Sequence, residues 1–149
     1  MRFLAEKAIA ACPDWNRKPL TEAAFHRLCR RHKVTVTEMP LRTNGFYYCV
    51  KGQHFIAIDS KLPPLKKLLV MFHELGHFLL HSPDTNATAN FHGVGHRSRK
   101  EREADAFALC SLIPREWILK RTADELIADE GFDADMVADR AEIYRMYGV

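Results

Sequence analysis

Residues 65–81, LKKLLVMFHELGHFLLH, carry a helical pattern whose apolar side chains run nearly all the way round. A helix that is apolar on most sides is buried on most sides, so the rest of the chain has to supply walls for it. Gly76 inside this stretch costs about 1 kcal/mol relative to Ala, which points to close packing or a site at that position. A chain of 149 residues is long enough to build the walls, since roughly 70% of the unfolded surface is buried at this size. With 47% apolar and 28% charged residues, the composition is that of one globular domain and excludes a disordered chain, a collagen-like repeat or a membrane bundle.

The walls are readable on both sides of the central helix. Residues 1–12 read as a short helix with Phe3, Leu4, Ala8 and Ile9 on one face. Glu6 and Lys7 interrupt what would otherwise be the core of a signal peptide, so secretion is not expected. Thr21 caps a second helix over residues 20–33, with Ala24, Phe25, Leu28 and Cys29 facing inward and Arg27, Arg30, Arg31 and Lys33 mostly outward. Residues 34–38 alternate as a strand. Asn44-Gly45 and Lys51-Gly52 are turn signals around FYYCV and HFIAID, which predicts two or three short antiparallel strands joined by hairpins. Tyr47 and Tyr48 in those strands read as core residues. Residues 82–98 read as a loop, and a further helix runs from about Arg99 to Leu112, ending before Pro114. Helices near 122–130 and 134–147 follow, the first stopped by Gly131, the second capped by Asp133 and ended by Gly148.

Within the central helix, His73-Glu74-Leu75-Gly76-His77 is an H-E-x-x-H motif. Residues four apart share a helix face, so both imidazoles reach one zinc ion at about 2.0–2.1 Å. Glu74 stands beside the first histidine, placed to take a proton from a metal-bound water. In a chain with 8 His and 10 Glu, chance yields about 0.03 such motifs, so a third ligand is needed to decide between a site and a pair of core histidines. The continuation with a third histidine on the same segment would need Gly and His where the chain has Leu80 and Pro83, and is excluded.

The other solution is a carboxylate from the helix that begins near Arg99. Glu101 is preferred, because Asp105 lies one turn further on the same face, where it would hold the free nitrogen of a ligand histidine. Ala104 and Ala108 allow a close approach of the two helices. Glu103 is the competing ligand; it lies about 200° around the helix, so only one of the two glutamates faces the metal. His81 is read as a packing or surface residue, since three histidines over eight residues of one straight helix do not meet at one ion. His92 and His96 fall in the intervening loop, as surface residues or as donors to a carbonyl or an oxyanion.

The remaining chemistry is sparse. Cys12, Cys29, Cys49 and Cys110 form no C-x-x-C pair and sit among apolar neighbours, as cysteines do in a reducing cytoplasm. No apolar run reaches the roughly 18 residues of a membrane span. The net charge of +3 does not call for nucleic acid, and the tail sets Arg140 and Arg145 against Asp135, Asp139 and Glu142.

Taken together, FHELGHFLLH, EREADAF and Leu112-Ile113-Pro114, preceded by GFYYCVKGQHFIAIDSKLP, resemble the ImmA/IrrE zinc metallopeptidases, and the tail TADELIADEGFDADMVADRAEIYRMYGV resembles the helix-turn-helix-like region that follows in them. The resemblance spans about residues 20–147. It implies an α+β fold in which a small antiparallel sheet packs on a zincin-type helix pair, with residues 1–114 as the metallopeptidase-like domain and residues 115–149 as a helical subdomain packed on it. It makes His73, His77 and Glu101 the zinc ligands and Glu74 the general base, and it gives Asp105 a position that is often Asn or Asp in relatives. It further implies a cytoplasmic zinc endopeptidase of phage or mobile-element type acting on a helix-turn-helix transcriptional repressor. The alternative expectation is a zinc-containing regulator that binds a repressor or other protein partner without cutting it. The short N-terminus leaves no room for a separate DNA-binding domain, and direct nucleic-acid contact is not expected.

Overall fold

A computed structural model describes residues 1–81, 90–91 and 98–149. Among these residues the chain runs α1 (Arg2–Ala11), α2 (Glu22–Arg31), β1 (Val34–Met39), β2 (Gly45–Val50), β3 (Gln53–Asp59), α3 (Pro64–His81), β4 (Asn90–Phe91), α4 (Arg99–Leu112), α5 (Arg115–Lys120), α6 (Ala123–Glu130) and α7 (Ala134–Tyr147). The architecture is α+β, with α3 at its centre. Val70, Met71, Phe72, His73, Glu74, Leu75, Gly76, His77 and Leu80 are all buried, as the all-round apolar pattern requires. The sheet, α1, α2 and α4 provide its walls.

The sheet is mixed, with strand order β1-β3-β2-β4. β2 and β3 form the expected hairpin, turning at Lys51 (φ 49°) and Gly52 (φ 73°), the two positive φ angles that a tight hairpin turn requires. β1 departs from the expected antiparallel arrangement: it lies parallel to β3, with Val34 opposite His54 and Met39 opposite Asp59. The segment after β1 carries the chain past β3, so β3 slots between β1 and β2. Gly45 accordingly does not act as a hairpin turn but opens β2. A Cβ there would stand 2.8 Å from the carbonyl oxygen of Ala57 and 2.9 Å from Val70 Cγ1, so the missing side chain lets the sheet settle on α3. Asp59 closes the sheet by accepting backbone N–H bonds from Leu41 (3.1 Å) and Lys61 (3.2 Å) just before α3 begins.

α1 buries Leu4 and Ala8, while Phe3 and Ile9 are exposed, so its inward face is narrower than the sequence reading. Thr21 caps α2 by accepting from the Ala24 N–H. Between α1 and α2, Trp15 is fully buried, stacks on Phe107 and donates its indole N–H to the Phe107 carbonyl at 3.1 Å. The helix α5 was not expected from the sequence, because Pro114 marks the end of one helix and also serves as the N-cap of the next. The C-terminal helices share the same core through Leu126, Phe132, Met136 and Val137. The four cysteines are free. Burial pushes the Cys29 thiol up to about 12 and the Cys110 thiol up to about 11, which fits packing residues rather than nucleophiles.

Candidate metal centre

The site lies where α3 and α4 run closest together. Two features allow that approach. Gly76 presents no side chain to α4, and a Cβ there would meet Phe107 Cδ1 at 3.0 Å and Ala104 Cα at 3.4 Å. Ala104 and Ala108, both fully buried, keep the facing surface of α4 low. Ser98 caps α4 by accepting from the Glu101 N–H at 3.2 Å, which fixes the first turn that carries Glu101.

The helical spacing of four brings His73 and His77 to one face of α3, their rings 4.9 Å apart. Glu101 reaches across from α4 to both. Its Oε2 lies 3.2 Å from His73 Nε2, and its Oε1 lies 3.0 Å from His77 Nε2. Asp105, one turn further along α4, holds the opposite edge of the first imidazole, 2.7 Å from His73 Nδ1. Carboxylates thus flank both ring nitrogens; the closer contact makes Nδ1 the donor to Asp105, and the Nε2 lone pair then faces Glu101 as a ligand atom would face across an ion. Glu74, between the two histidines in sequence, is fully buried.

These donors suit a metal ion. One ligand atom each from His73, His77 and Glu101 lies within 4.8 Å of the others. Ligands at about 2.1 Å from a tetrahedral zinc stand some 3.4 Å apart, close to the spacings across this site. Two imidazole nitrogens and one carboxylate are borderline-soft and hard donors in the mixture that zinc takes.

Glu103 goes elsewhere. Its Oε2 lies 3.0 Å from His81 Nε2, and its Oε1 accepts from Arg99 Nε at 2.7 Å. The rotation around α4 that separates it from Glu101 therefore takes it to the end of α3. His81 is neither a surface residue nor a plain packing residue: its side chain is 8% exposed, and its Nδ1 lies 3.0 Å from His77 Nδ1. Burial lowers the His81 pKa, against the opposing pull of Glu103. Burial alone would raise Glu103, but the hydrogen bonds from His81 and Arg99 outweigh it and hold the carboxyl below its ordinary value. The sequence signal for the His77–His81 contact was the second i, i+4 step along α3. His92 and His96 lie outside the described residues. Tyr47 is a core residue whose hydroxyl meets His54 Nδ1 at 2.7 Å.

A buried helix with two histidines one turn apart, faced by a glutamate from the next helix, supplies the two-histidine, one-glutamate donor set found in one class of metal-dependent peptidases. Residues 29–141 match the IrrE N-terminal-like domain, and the chain belongs to that peptidase family. It is also similar to "Uncharacterized immunity region protein 2" of Bacillus phage phi105, at 27% identity over 143 residues that cover 81% of this chain and 90% of the relative. No helix among the described residues is long and apolar enough to cross a membrane.

Proposed function

We propose that this protein is a cytoplasmic zinc-dependent endopeptidase that cuts a regulatory protein, namely a helix-turn-helix transcriptional repressor. The observation that carries the reading is the convergence of His73, His77 and Glu101 between α3 and α4, their ligand atoms within 4.8 Å of one another. In this reading those three residues hold the ion, and residues 1–114 form the catalytic unit on which residues 115–149 pack. When bound, zinc supplies the Lewis acidity that activates water and polarises the scissile carbonyl.

The chain's own residues then do the following. Asp105 keeps His73 in the Nδ1–H tautomer, so that Nε2 is available as a ligand atom. Glu74 takes the proton from the attacking water and returns it to the leaving amine. Its full burial keeps bulk water from competing for that proton. Support for a repressor as substrate comes from the phage relative, whose name places it in an immunity region.

The test is incubation of the zinc-loaded protein with purified helix-turn-helix repressors, followed by mass spectrometry over time. Wild type is expected to release two fragments. Glu74→Gln is expected to bind zinc as wild type does and to release none, whereas His73→Ala and Glu101→Ala lose the metal. Cutting by Glu74→Gln at the wild-type rate would overturn the mechanism, and an intact repressor that stays bound to wild type would overturn the endopeptidase assignment.

A further inference from the structure

We propose that His81 and Glu103 are positioning residues for the metal centre: they fix the tautomer of His77 so that its Nε2 faces the ion. The inference rests on the reading of His73, His77 and Glu101 as ligands. It concerns two residues outside that set.

A neutral imidazole has one N–H and one lone pair, and a carboxylate offers only lone pairs. Glu103 Oε2 lies 3.0 Å from His81 Nε2, so that nitrogen carries the proton and donates it. His81 Nδ1 is thereby left as an acceptor. It lies 3.0 Å from His77 Nδ1, so His77 Nδ1 is the donor of that pair. With its proton on Nδ1, His77 turns the Nε2 lone pair toward Glu101 Oε1, 3.0 Å away, two acceptors that need a cation between them. Arg99, donating to the other oxygen of Glu103 at 2.7 Å, holds the far end of the chain in place.

The result matches His73 in outcome but differs in construction. His73 is set by a carboxylate in direct contact, Asp105 at 2.7 Å. His77 lies deeper, 1% exposed on its side chain, and is set by a carboxylate acting through an intervening imidazole. The His81 ring spans from the buried ligand to Glu103, whose side chain retains 19% exposure. A charge-backed hydrogen bond also makes the ligand nitrogen a better donor to the metal, and losing such a partner costs about tenfold to a hundredfold in metal affinity.

The experiment measures zinc affinity by competition with a chelator, and the His77 tautomer, together with the solvent exchange of its ring N–H, by two-bond proton–nitrogen correlations in the zinc-loaded protein. Wild type is expected to show His77 protonated on Nδ1. His81→Phe, which keeps the ring but removes both nitrogens, is expected to weaken zinc binding about tenfold to a hundredfold and to speed solvent exchange of the His77 Nδ1–H. Glu103→Ala, at a side chain that retains 19% exposure, is expected to shift both readouts the same way. Glu103→Gln is expected to restore them, because the amide oxygen still accepts from His81. A wild-type His77 protonated on Nε2, or zinc affinity unchanged in both His81→Phe and Glu103→Ala, overturns the relay. Should His81→Phe fail to fold, Glu103→Ala and its rescue by Gln decide alone. A wild type that binds no zinc at all overturns the ligand assignment itself, which separates the two failures.

Discussion

Asp105 stands 2.7 Å from His73 Nδ1, and its value lies in what it does to the other nitrogen of that ring. Removing the acceptor frees the imidazole to rotate and to exchange tautomers, so Asp105→Ala is expected to lower zinc affinity by about tenfold to a hundredfold with the fold intact. Asp105→Asn keeps an acceptor and is expected to lose much less. Chelator competition on the two variants measures the difference, and equal losses would show that charge rather than hydrogen bonding matters here. The pairing of Glu101 with Asp105 was legible because a spacing of four fixes two residues to one helix face whatever the helix packs against. The pairing of Glu103 with His81 was not. It depends on how α4 is rotated and shifted along α3, and that is set by Gly76, Ala104 and the ring of Phe107, not by the sequence near either partner.

At the scale of elements, the α3–α4 contact is the joint on which the site depends, and Gly76 tests it. Ala in its place gains about 1 kcal/mol of helix propensity. Against that, the added methyl meets Phe107 Cδ1 at 3.0 Å, Phe107 Cβ at 3.3 Å and Ala104 Cα at 3.4 Å. Phe107 is fully buried and stacked on Trp15, with Phe72 on another side, so it has little room to give. Overpacking of this kind costs about 1–3 kcal/mol, so Gly76→Ala is expected to be less stable than wild type by up to about 2 kcal/mol. Glu101 rides on the same helix as Phe107, so zinc affinity is expected to fall as well. Urea denaturation of the zinc-free protein and a zinc titration check the two effects; a gain in stability with unchanged affinity would show that α4 yields freely. Helix limits were legible wherever a cap announces them, as at Thr21 and Asp133. Strand order was not. Local alternation and turn residues specify that β1 is a strand, but only the packing of β3 beside it makes the pair parallel.

Across the whole molecule, Arg140 ties distant parts of the chain together. From α7 it donates to the Ile113 carbonyl at 2.7 Å, the Val149 carbonyl at 2.9 Å and Asn16 Oδ1 at 3.0 Å. Asn16 sits between α1 and α2 with a positive φ of 62°, and Ile113 is the C-cap of α4, so one side chain joins both ends of the fold to the helix that carries Glu101. In the sequence Arg140 counts among the basic residues of the tail. In the fold it is fully buried, which removes it from any surface that meets phosphate. Burial depresses its pKa, the expected cost of holding a cation away from water. The planar guanidinium can satisfy three acceptors in three directions, which a single ammonium on a flexible stem does not reproduce. Arg140→Lys is therefore expected to lose nearly as much as Arg140→Met: about 3 kcal/mol, or roughly 6–12 °C in Tm for a chain of this size. Thermal and urea unfolding of the three proteins side by side measure it. A lysine variant within about 0.5 kcal/mol of wild type would show that the charge alone sustains the junction, because changes that small are typical of surface substitutions.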